Sequence, residues 1–248
     1  MGERDGAERP PDRLHGRRRG RRLRPGRQRL IEERLPALAP ALPPTGRHLD
    51  PATLFDRPIA DLWLEIGFGS GEHLAWQAAH HSGIGMIGCE PFVNGTAALL
   101  DRIERDGLDN IRIHPDDGRP LIDALPAESV GRCFILFPDP WPKRRHRLRR
   151  FVRPDNLDAL ARVLKDRAAL RLASDDPRQI DWMLLQLRRH PAFRWTVRRA
   201  ADWRGRPDDW PRTRYEAKAL RGQPVYLTFE RRRRKPPNAA ESGENGCQ

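Results

Sequence analysis

The sequence predicts an α/β fold with a doubly wound, mostly parallel sheet and an antiparallel strand at its C-terminal end. Short apolar runs of strand length alternate with longer segments that carry apolar residues at helical spacing. This alternation is typical of parallel strands that are joined by helices and buried on both faces. Near the C-terminus, two apolar runs follow one another without a long helix between them, which favours an antiparallel edge.

The individual elements follow from the local pattern in chain order. Five apolar runs predict parallel strands over residues 61–66, 84–89, 110–114, 132–137 and 168–173. Apolar residues at every third or fourth position predict helices over residues 72–81, 92–106 and 154–164. The last two apolar runs predict an antiparallel pair over residues 193–197 and 225–229.

The length of 248 residues suits one compact domain with an extension at each end. Residues 1–51 are predicted to form a basic, proline-rich, largely flexible arm, and the prolines between Pro36 and Pro51 predict an extended connection within it. Residues 52–230 form the predicted domain, and residues 231–248 a disordered charged tail. No apolar run approaches the roughly 18–20 residues of a membrane helix, so an integral membrane protein is excluded.

Cysteine usage and the N-terminal composition indicate a cellular compartment. The three cysteines show no metal-ligand spacing and are too few for a framework of several disulfides, which favours a reducing environment and no metal site. The N-terminus is rich in arginine but has no apolar stretch of the kind that a secretory signal needs. We therefore expect a cytoplasmic protein.

The net charge of +13 is concentrated in three basic runs. Residues 13–29, 143–153 and 231–235 carry nine, seven and five basic side chains and no acidic ones, so the rest of the chain is net acidic. An acidic body with basic segments is typical of a protein that binds a polyanion and has an acidic pocket elsewhere.

A glycine-rich loop follows the first predicted strand, where an open parallel sheet binds its ligand. Gly67, Gly69 and Gly71 allow a tight turn and a close approach of the backbone to a ligand. A dinucleotide fingerprint requires glycine at the position of Glu72, and a carboxylate at that helix N-terminus opposes a pyrophosphate. The loop therefore disfavours dinucleotides and nucleoside triphosphates.

Four acidic residues lie at the carboxyl ends of four consecutive predicted strands. Glu65, Glu90, Asp117 and Asp139 should converge on one crevice, with Glu90 placed to accept from ribose hydroxyls. Together they fit S-adenosylmethionine, whose sulfonium and ammonium groups are positive. Singly, each also fits a helix cap or a turn, as residues 116–118 illustrate, and Glu65 also fits an acceptor for loop amides.

Four segments carry a resemblance to a known family. They are Glu65-Ile-Gly-Phe-Gly-Ser-Gly, Gly88-Cys-Glu90-Pro, Phe137-Pro-Asp139-Pro-Trp-Pro-Lys143-Arg-Arg-His146 and Thr213-Arg-Tyr-Glu216. Over residues 63–230 the chain resembles the bacterial tRNA (guanine-N7-)-methyltransferases. The resemblance implies a Rossmann-like class I methyltransferase fold. It also implies methyl transfer from S-adenosylmethionine to N7 of a guanosine in the variable loop of tRNA, at position 46. The sequence leaves both a monomer and a homodimer open.

The resemblance also implies roles for residues at matching positions, with Asp139 catalytic. It places the cofactor at Glu65, Gly67, Gly69, Gly71, Glu90, Asp117 and Asp139. It places the guanosine at Lys143, Asp175, Thr213, Arg214, Tyr215 and Glu216. It places the RNA backbone at Arg145, His146, Arg147, Arg149 and Arg150. The chain departs from the family pattern over residues 91–95 and at Ser174, whose role stays open.

The chemistry of such a transfer needs positioning more than proton removal, because guanine N7 has a free lone pair and no proton. A carboxylate such as Asp139, Asp175 or Glu216 is suited to accept from the guanine donors. Trp141 fits either a stacking platform for a splayed base or a core anchor. Two alternatives stay open at this stage. They are a different S-adenosylmethionine-dependent RNA methyltransferase and a non-enzymatic RNA-binding protein that retains the fold.

Overall fold

The computed structural model describes residues 16–218 and 220–234. Within them, the strands are β1 Asp61–Ile66, β2 Ile84–Cys89, β3 Ile111–His114, β4 Val130–Leu136, β5 Leu164–Ser174, β6 Phe193–Trp195 and β7 Val225–Arg231. The helices are α1 Pro25–Glu33, α2 Leu35–Leu38, α3 Glu72–His80, α4 Val93–Asp106, α5 Gly118–Ala124, α6 Pro154–Val163, α7 Pro177–Arg189, α8 Ala201–Arg204 and α9 Arg214–Lys218. Two 3₁₀ turns are formed by Pro51–Leu54 and Arg144–Arg149.

The strands form one mixed sheet in the order β3-β2-β1-β4-β5-β7-β6. The first five strands pair in parallel, and the chain order reverses direction between β1 and β4. At such a reversal the loops after the two strands separate and leave a crevice at the carboxyl ends. The predicted parallel sheet is therefore confirmed, and its crevice lies where the glycine-rich loop follows β1.

The predicted antiparallel end of the sheet is also confirmed. Strand β7 pairs antiparallel with both β5 and β6, so it lies between two strands that precede it in the chain. Trp195 of β6 stacks on Phe229 of β7 with ring centroids 6.2 Å apart, which joins the edge strand to the core.

Apolar side chains cover both faces of the sheet. One cluster includes Leu64, Ile135 and Leu172, and the other includes Trp63 and Phe134. Since both faces are buried, the parallel strands read as nearly continuous apolar runs rather than as alternating ones.

Strand β5 begins earlier than the sequence predicts, at Leu164 rather than at residue 168. Its pairing with β4 shifts register between the pair Val130–Leu164 and the pair Arg132–Ala169. The irregular stretch carries Lys165 and exposed polar neighbours, so its apolar pattern is interrupted although its backbone is in the sheet. Helices α5 and α7 were not predicted. The N-cap of α7 is Asp176, whose carboxylate accepts from Arg178 N at 2.9 Å.

The N-terminal arm contains two helices in the described residues. Helix α2 has Pro36 in its first turn, where the sequence predicts an extended connection. In α1, the apolar side chains of Leu30 and Ile31 pack on the core beside α4. Arg27 and Arg34 of this region form ion pairs with Asp101 and Glu104 of α4. The arm is helical here because the apolar side chains of α1 pack against α4, and this packing stabilises the helix beyond its intrinsic propensity.

The predictions for the two chain ends are only partly covered. Residues 1–15 and 235–248 lie outside the described residues, and the boundary between arm and domain stays a prediction. The predicted tail begins at Arg231, but this residue belongs to β7. Beyond it, Arg234 donates to the carbonyl oxygens of Ala161, Arg162 and Leu164 at the end of α6.

Candidate active site

The glycine-rich loop turns the chain sharply from β1 into α3. Gly67, Gly69 and Gly71 have φ of 75°, 57° and 72°, in the left-handed region that glycine enters without a steric penalty. Gly71 also packs tightly under α4, because a Cβ there would lie 2.7 Å from Leu99 Cδ1.

Helix α4 packs directly on the backbone of this loop at Gly95. A Cβ built on Gly95 would lie 2.2 Å from the carbonyl oxygen of Gly69, which is far inside van der Waals contact. Gly95 belongs to the 91–95 stretch that departs from the family pattern, and sequence reasoning missed its place in the site. A local sequence pattern could not have found it, because the contact joins two elements through space.

Glu90, at the end of β2, holds the other side of the loop. Its carboxylate accepts from Gly69 N at 2.8 Å and from Phe92 N at 2.9 Å. Burial raises the pKa of Glu90 above its ordinary value, and the charges of Asp139 and Glu65 act in the same direction. The two backbone donors oppose this shift because they stabilise the ionised form. Glu90 therefore shapes the loop and adds negative charge to the crevice.

Glu65 and His73 form a buried pair beneath the loop. Glu65 Oε2 lies 2.7 Å from His73 Nδ1, and both side chains are almost fully buried. The partner of Glu65 is thus a side chain of α3, whereas the sequence had also allowed an acceptor for loop amides.

Asp117 combines the crevice role and the turn role that the sequence left open. Its carboxylate accepts from Arg119 N at 3.0 Å and so caps α5, and it forms an ion pair with the Arg119 guanidinium. The neighbouring Asp116 forms an ion pair with Arg18 of the N-terminal segment at 2.9 Å.

The loop after β4 carries Asp139 on a strained backbone. Phe137 and Trp141 have φ of 48° and 40°, which is costly for residues with a Cβ and persists where the surrounding structure holds it. Asp139 is exposed at the rim of the crevice, and Trp141 is half-buried with the Arg149 guanidinium 5.1 Å from its ring centroid. Trp141 lines the cavity and does not belong to either of the two buried core clusters.

These elements enclose a cavity of about 660 Å³. Of the residues predicted to bind the cofactor, all but Gly71 line it. Three residues predicted to bind the guanosine also line it, Thr213, Arg214 and Tyr215. The same cavity thus brings together the predicted cofactor residues and part of the predicted substrate residues.

Arg214 joins the substrate segment to the start of α3. Its backbone N and its Nε donate to the Glu72 carboxylate at 2.7 and 2.6 Å. Glu216 does not line the cavity. Its carboxylate forms an ion pair with Arg206 at 3.0 Å. Burial of the Tyr226 side chain and its hydrogen bond with Glu216 raise the pKa of Tyr226. Through these contacts, Glu216 ties the 213–216 segment to Arg206 and to β7.

Lys143 and Asp175 do not line the cavity. Lys143 is exposed at the start of the basic 3₁₀ turn, and Asp175 Oδ2 accepts from Arg221 N at 3.2 Å. Ser174, whose role the sequence left open, is buried and accepts a hydrogen bond from Asp176 N at 3.2 Å. Its hydroxyl thus shapes the turn into α7.

The predicted RNA-backbone residues divide into exposed and buried ones. Arg145 and Arg147 are exposed, and His146 lies with its ring 5.8 Å from that of Trp141. Arg150 is placed differently, because its guanidinium lies over the ring of Trp182 at 4.7 Å and donates to Trp141 O at 3.1 Å. A guanidinium held in this way supports the loop after β4, and its contact with an RNA backbone stays a prediction.

The N-terminal segment crosses the start of α4 and reaches the cavity, which sequence reasoning missed. Val93 N donates to Arg18 O at 2.9 Å, while the Asn94 side chain accepts from Gly20 N and donates to Arg21 O. Gly16 and Arg17 line the cavity.

Two features of the described residues bear on other kinds of site. No group of three or more His, Cys, Asp and Glu side chains there is arranged to hold a metal ion. None of the helices in this part of the chain has the length and apolar character that crossing a membrane requires.

Comparisons with known proteins give a consistent family. A family model described as "Putative methyltransferase" matches residues 60–228. The chain is 52% identical over 235 residues to the tRNA (guanine-N(7)-)-methyltransferase of Rhodospirillum rubrum, with 93% of this chain and 91% of that protein covered. It is 49% identical over 230 residues to the enzyme of the same name from Paramagnetospirillum magneticum, with 92% and 95% covered.

Among the solved structures that this chain resembles, one is a ribosomal RNA methyltransferase. The crystal structure of the 16S rRNA methyltransferase KamB matches with a TM-score of 0.51 at 16% identity, over 71% of this chain and 89% of that chain. The likeness confirms the predicted Rossmann-like fold of a class I methyltransferase, and at this identity it supports the fold alone.

Proposed function

The chain belongs to the family of tRNA (guanine-N7-)-methyltransferases, and from this premise we propose that it transfers the methyl group of S-adenosylmethionine to N7 of a guanosine in tRNA. The observation that carries the proposal is the shared cavity. Carboxylates at the carboxyl ends of β1, β2, β3 and β4 meet there with the segment around Arg214. The guanosine is the one at position 46 in the variable loop.

The residues present fit S-adenosylmethionine. A cavity of about 660 Å³ lies within the size range of small-molecule sites, roughly 300–1,000 Å³. The carboxylates of Glu65, Glu90 and Asp117 match a ligand with two positive groups and several hydrogen-bond donors. Glu90 would hold the ribose hydroxyls, Glu65 the ammonium group and Asp117 the adenine end. When bound, S-adenosylmethionine supplies a methyl group on a positively charged sulfur.

The protein's contribution to the reaction is placement and charge. Guanine N7 attacks through its own lone pair, so none of the side chains has to remove a proton before the attack. Asp139 at the rim accepts hydrogen bonds from the guanine donors and stabilises the positive charge that grows on the purine ring. Trp141 borders the place where the base enters and offers a face for stacking.

The exposed basic residues of the 143–149 segment bind the RNA phosphates. Lys143, Arg145 and Arg147 are exposed, and phosphate neutralisation by such residues makes binding weaken as salt rises. Since the cavity-lining Trp141 lies just before this segment, the same loop connects the RNA backbone to the reacting base.

The triple variant Lys143→Gln/Arg145→Gln/Arg147→Gln tests this surface. We expect weaker tRNA binding and a slope of log affinity against log salt that is shallower by about 0.7–0.9 for each phosphate that is no longer neutralised. Titration of tRNA at several salt concentrations measures both. The matched control replaces Arg47, Arg57 and Arg105 with glutamine as well. Arg47 and Arg57 lie before β1, and Arg105 lies at the end of α4. An equal decrease of slope in the control would show that only overall charge matters.

Glu90→Ala tests the cofactor side of the cavity. We expect binding of S-adenosylmethionine to weaken by about tenfold or more, because loop amides lose an acceptor and the ribose hydroxyls lose a partner. Calorimetric titration measures the change, with Glu104→Ala on the outer part of α4 as the control. Wild-type affinity in a folded Glu90→Ala variant would remove Glu90 from the site.

The same variant has a pH signature without ligand. The pKa of Glu90 is raised in the folded protein, so the folded state binds its proton more tightly than the unfolded chain. Its favourable contribution is complete below the ordinary value of 4.5 and is lost as the pH rises through the raised pKa. The difference in melting temperature, wild type minus Glu90→Ala, should therefore fall as the pH rises from below 4.5. A difference that rises would contradict the assigned cause of the shift.

The function itself is tested with labelled S-adenosylmethionine and unmodified bulk tRNA. Nucleoside analysis of the product should show N7-methylguanosine, and a tRNA with adenosine at position 46 should stay unlabelled. Label on another atom would support a different RNA methyltransferase, and tRNA binding without transfer would support an RNA-binding protein that retains the fold.

Light scattering would distinguish the monomer from the homodimer, and fractionation of cells would test the cytoplasmic location.

A further inference from the structure

A chain of buried polar side chains runs from the cavity into the interior through α3. Glu65 Oε2 lies 2.7 Å from His73 Nδ1, and His73 Nε2 lies 3.2 Å from Gln77 Nε2. Gln77 Nε2 also donates to the carbonyl oxygen of Asp209 at 2.7 Å. All three side chains are at most 3% exposed. The reaction described above, in which the protein places the methyl donor and the guanine, assigns no role to His73 or Gln77.

The hydrogen positions in this chain follow from one end to the other. The carbonyl of Asp209 only accepts, so the amide nitrogen of Gln77 must face it. The second hydrogen of this amide faces His73 Nε2, which must then be an acceptor with a free lone pair. An imidazole that accepts at Nε2 carries its hydrogen on Nδ1. His73 therefore accepts at Nε2 and donates from Nδ1 to the Glu65 carboxylate.

The ring of His73 is also held against rotation. It meets the rings of Phe134 and Trp210 edge to face, with centroids 4.6 and 5.3 Å away. The Asp209 anchor is fixed in turn by Arg171, whose guanidinium donates to both carboxylate oxygens at 2.6 and 2.8 Å. The His73 ring is thus held in one orientation and one tautomer, and its Nδ1–H points at Glu65.

We propose that His73 is a positioning residue for the methyl donor. By occupying Oε2 of Glu65, it orients this carboxylate so that Oε1 receives the ammonium group of the amino-acid part of S-adenosylmethionine. Gln77 acts behind it by selecting the donating tautomer of the ring. The inference rests on the proposed function, because it assumes that Glu65 meets the amino-acid part of the cofactor.

Two ligands distinguish positioning of Glu65 from general support of the fold. S-adenosylhomocysteine contains the amino-acid part, whereas 5′-methylthioadenosine has the adenosine and the thioether without it. In His73→Phe, which keeps a ring against Phe134 and Trp210, we expect S-adenosylhomocysteine to bind about tenfold more weakly while 5′-methylthioadenosine binds as in the wild type. The matched control is His80→Phe, the same substitution at an exposed position of the same helix.

Two further variants keep the test decisive if His73→Phe does not fold. His73→Asn offers an amide hydrogen near the position of Nδ1, and we expect it to recover most of the affinity for S-adenosylhomocysteine. Gln77→Leu leaves the ring in place but releases its tautomer, and we expect an intermediate loss that is again confined to S-adenosylhomocysteine. Calorimetry and thermal unfolding are recorded for every variant.

The outcomes are separable from those of the proposed function. Equal weakening of both ligands, or no weakening of either in the folded variants, would overturn the positioning role of His73. A His73→Asn variant as weak as His73→Phe would overturn the hydrogen bond as its cause. Methyl transfer to tRNA by the wild type and its affinity for S-adenosylhomocysteine are measured in the same series, so failure of the function itself appears in the wild type.

Discussion

Asp139→Ala is expected to lower kcat by about 10²–10³-fold while the Kd for tRNA stays near that of the wild type. Asp139 lies at the rim of the cavity, and its charge is close enough to act on Glu90. A carboxylate that stabilises charge developing on guanine acts mainly in the transition state, so its removal lowers kcat and kcat/KM together. Single-turnover methylation of unmodified tRNA and filter binding of the same tRNA measure the two quantities.

Two companion variants on the same loop sharpen this result. Asp139→Asn should retain more activity than Asp139→Ala, because its amide oxygen still accepts a hydrogen bond. Lys143→Ala should mainly raise the KM for tRNA, since Lys143 is exposed and outside the cavity lining. Near-wild-type kcat in Asp139→Ala would remove Asp139 from the active site, and equal inactivity of its Asn and Ala variants would assign the effect to charge.

Gly95→Ala is expected to abolish measurable binding of S-adenosylmethionine and to lower the free energy of unfolding by about 1–3 kcal/mol. A Cβ at this position would lie 2.2 Å from Gly69 O. The clashing atom is backbone, so relief requires α4 and the glycine-rich loop to separate, and Gly69 N then loses its bond to Glu90. Calorimetry with the cofactor and chemical denaturation measure the two effects.

Gly83→Ala provides the control for this substitution. A Cβ on Gly83 has no atom within 4 Å, so the same change of residue should leave cofactor affinity intact. Wild-type affinity and stability in Gly95→Ala would contradict the close approach of helix and loop as a requirement of the site.

The parallel half of the fold could be predicted because each of its strands carries its own signal. Buried parallel strands are apolar along their length, and β1 and β2 were predicted with the bounds that the structure shows. The extended start of β5 could not be predicted, since its exposed polar residues lie in the register shift between β4 and β5 and carry no apolar pattern. Helix α1 was missed for a related reason, as its apolar side chains gain their stability from α4.

The cavity could be predicted from chain order, because acids at the carboxyl ends of consecutive parallel strands meet at one edge. Glu65, Glu90 and Asp117 line the cavity for this reason. The sequence does not show which way an arginine in a basic run faces. Arg150 is buried because Trp182, on a helix further along the chain, offers a ring to its guanidinium. The roles of individual residues in catalysis stay predictions.

The contacts of His73 and Gly95 were beyond sequence reasoning for a different reason. Each depends on a distance between two elements that only the packed structure sets. A histidine on the buried face of a helix reads as a core residue until its partner Glu65 is known, and a glycine in a helix reads as a weakness until the Gly69 carbonyl is seen against it.

The position of β7 inside the sheet has a consequence for synthesis on the ribosome. Domains fold progressively as the chain emerges, and β1 to β5 can assemble while the C-terminal part is still being translated. Strand β6 has no strand to pair with, and β5 keeps an open edge, until residues 225–231 have left the exit tunnel. A chain that stops before them contains every cavity-lining residue yet presents an apolar edge that invites pairing with other chains. The codons for residues 225–231 therefore decide whether a translated chain closes the open edge of β5.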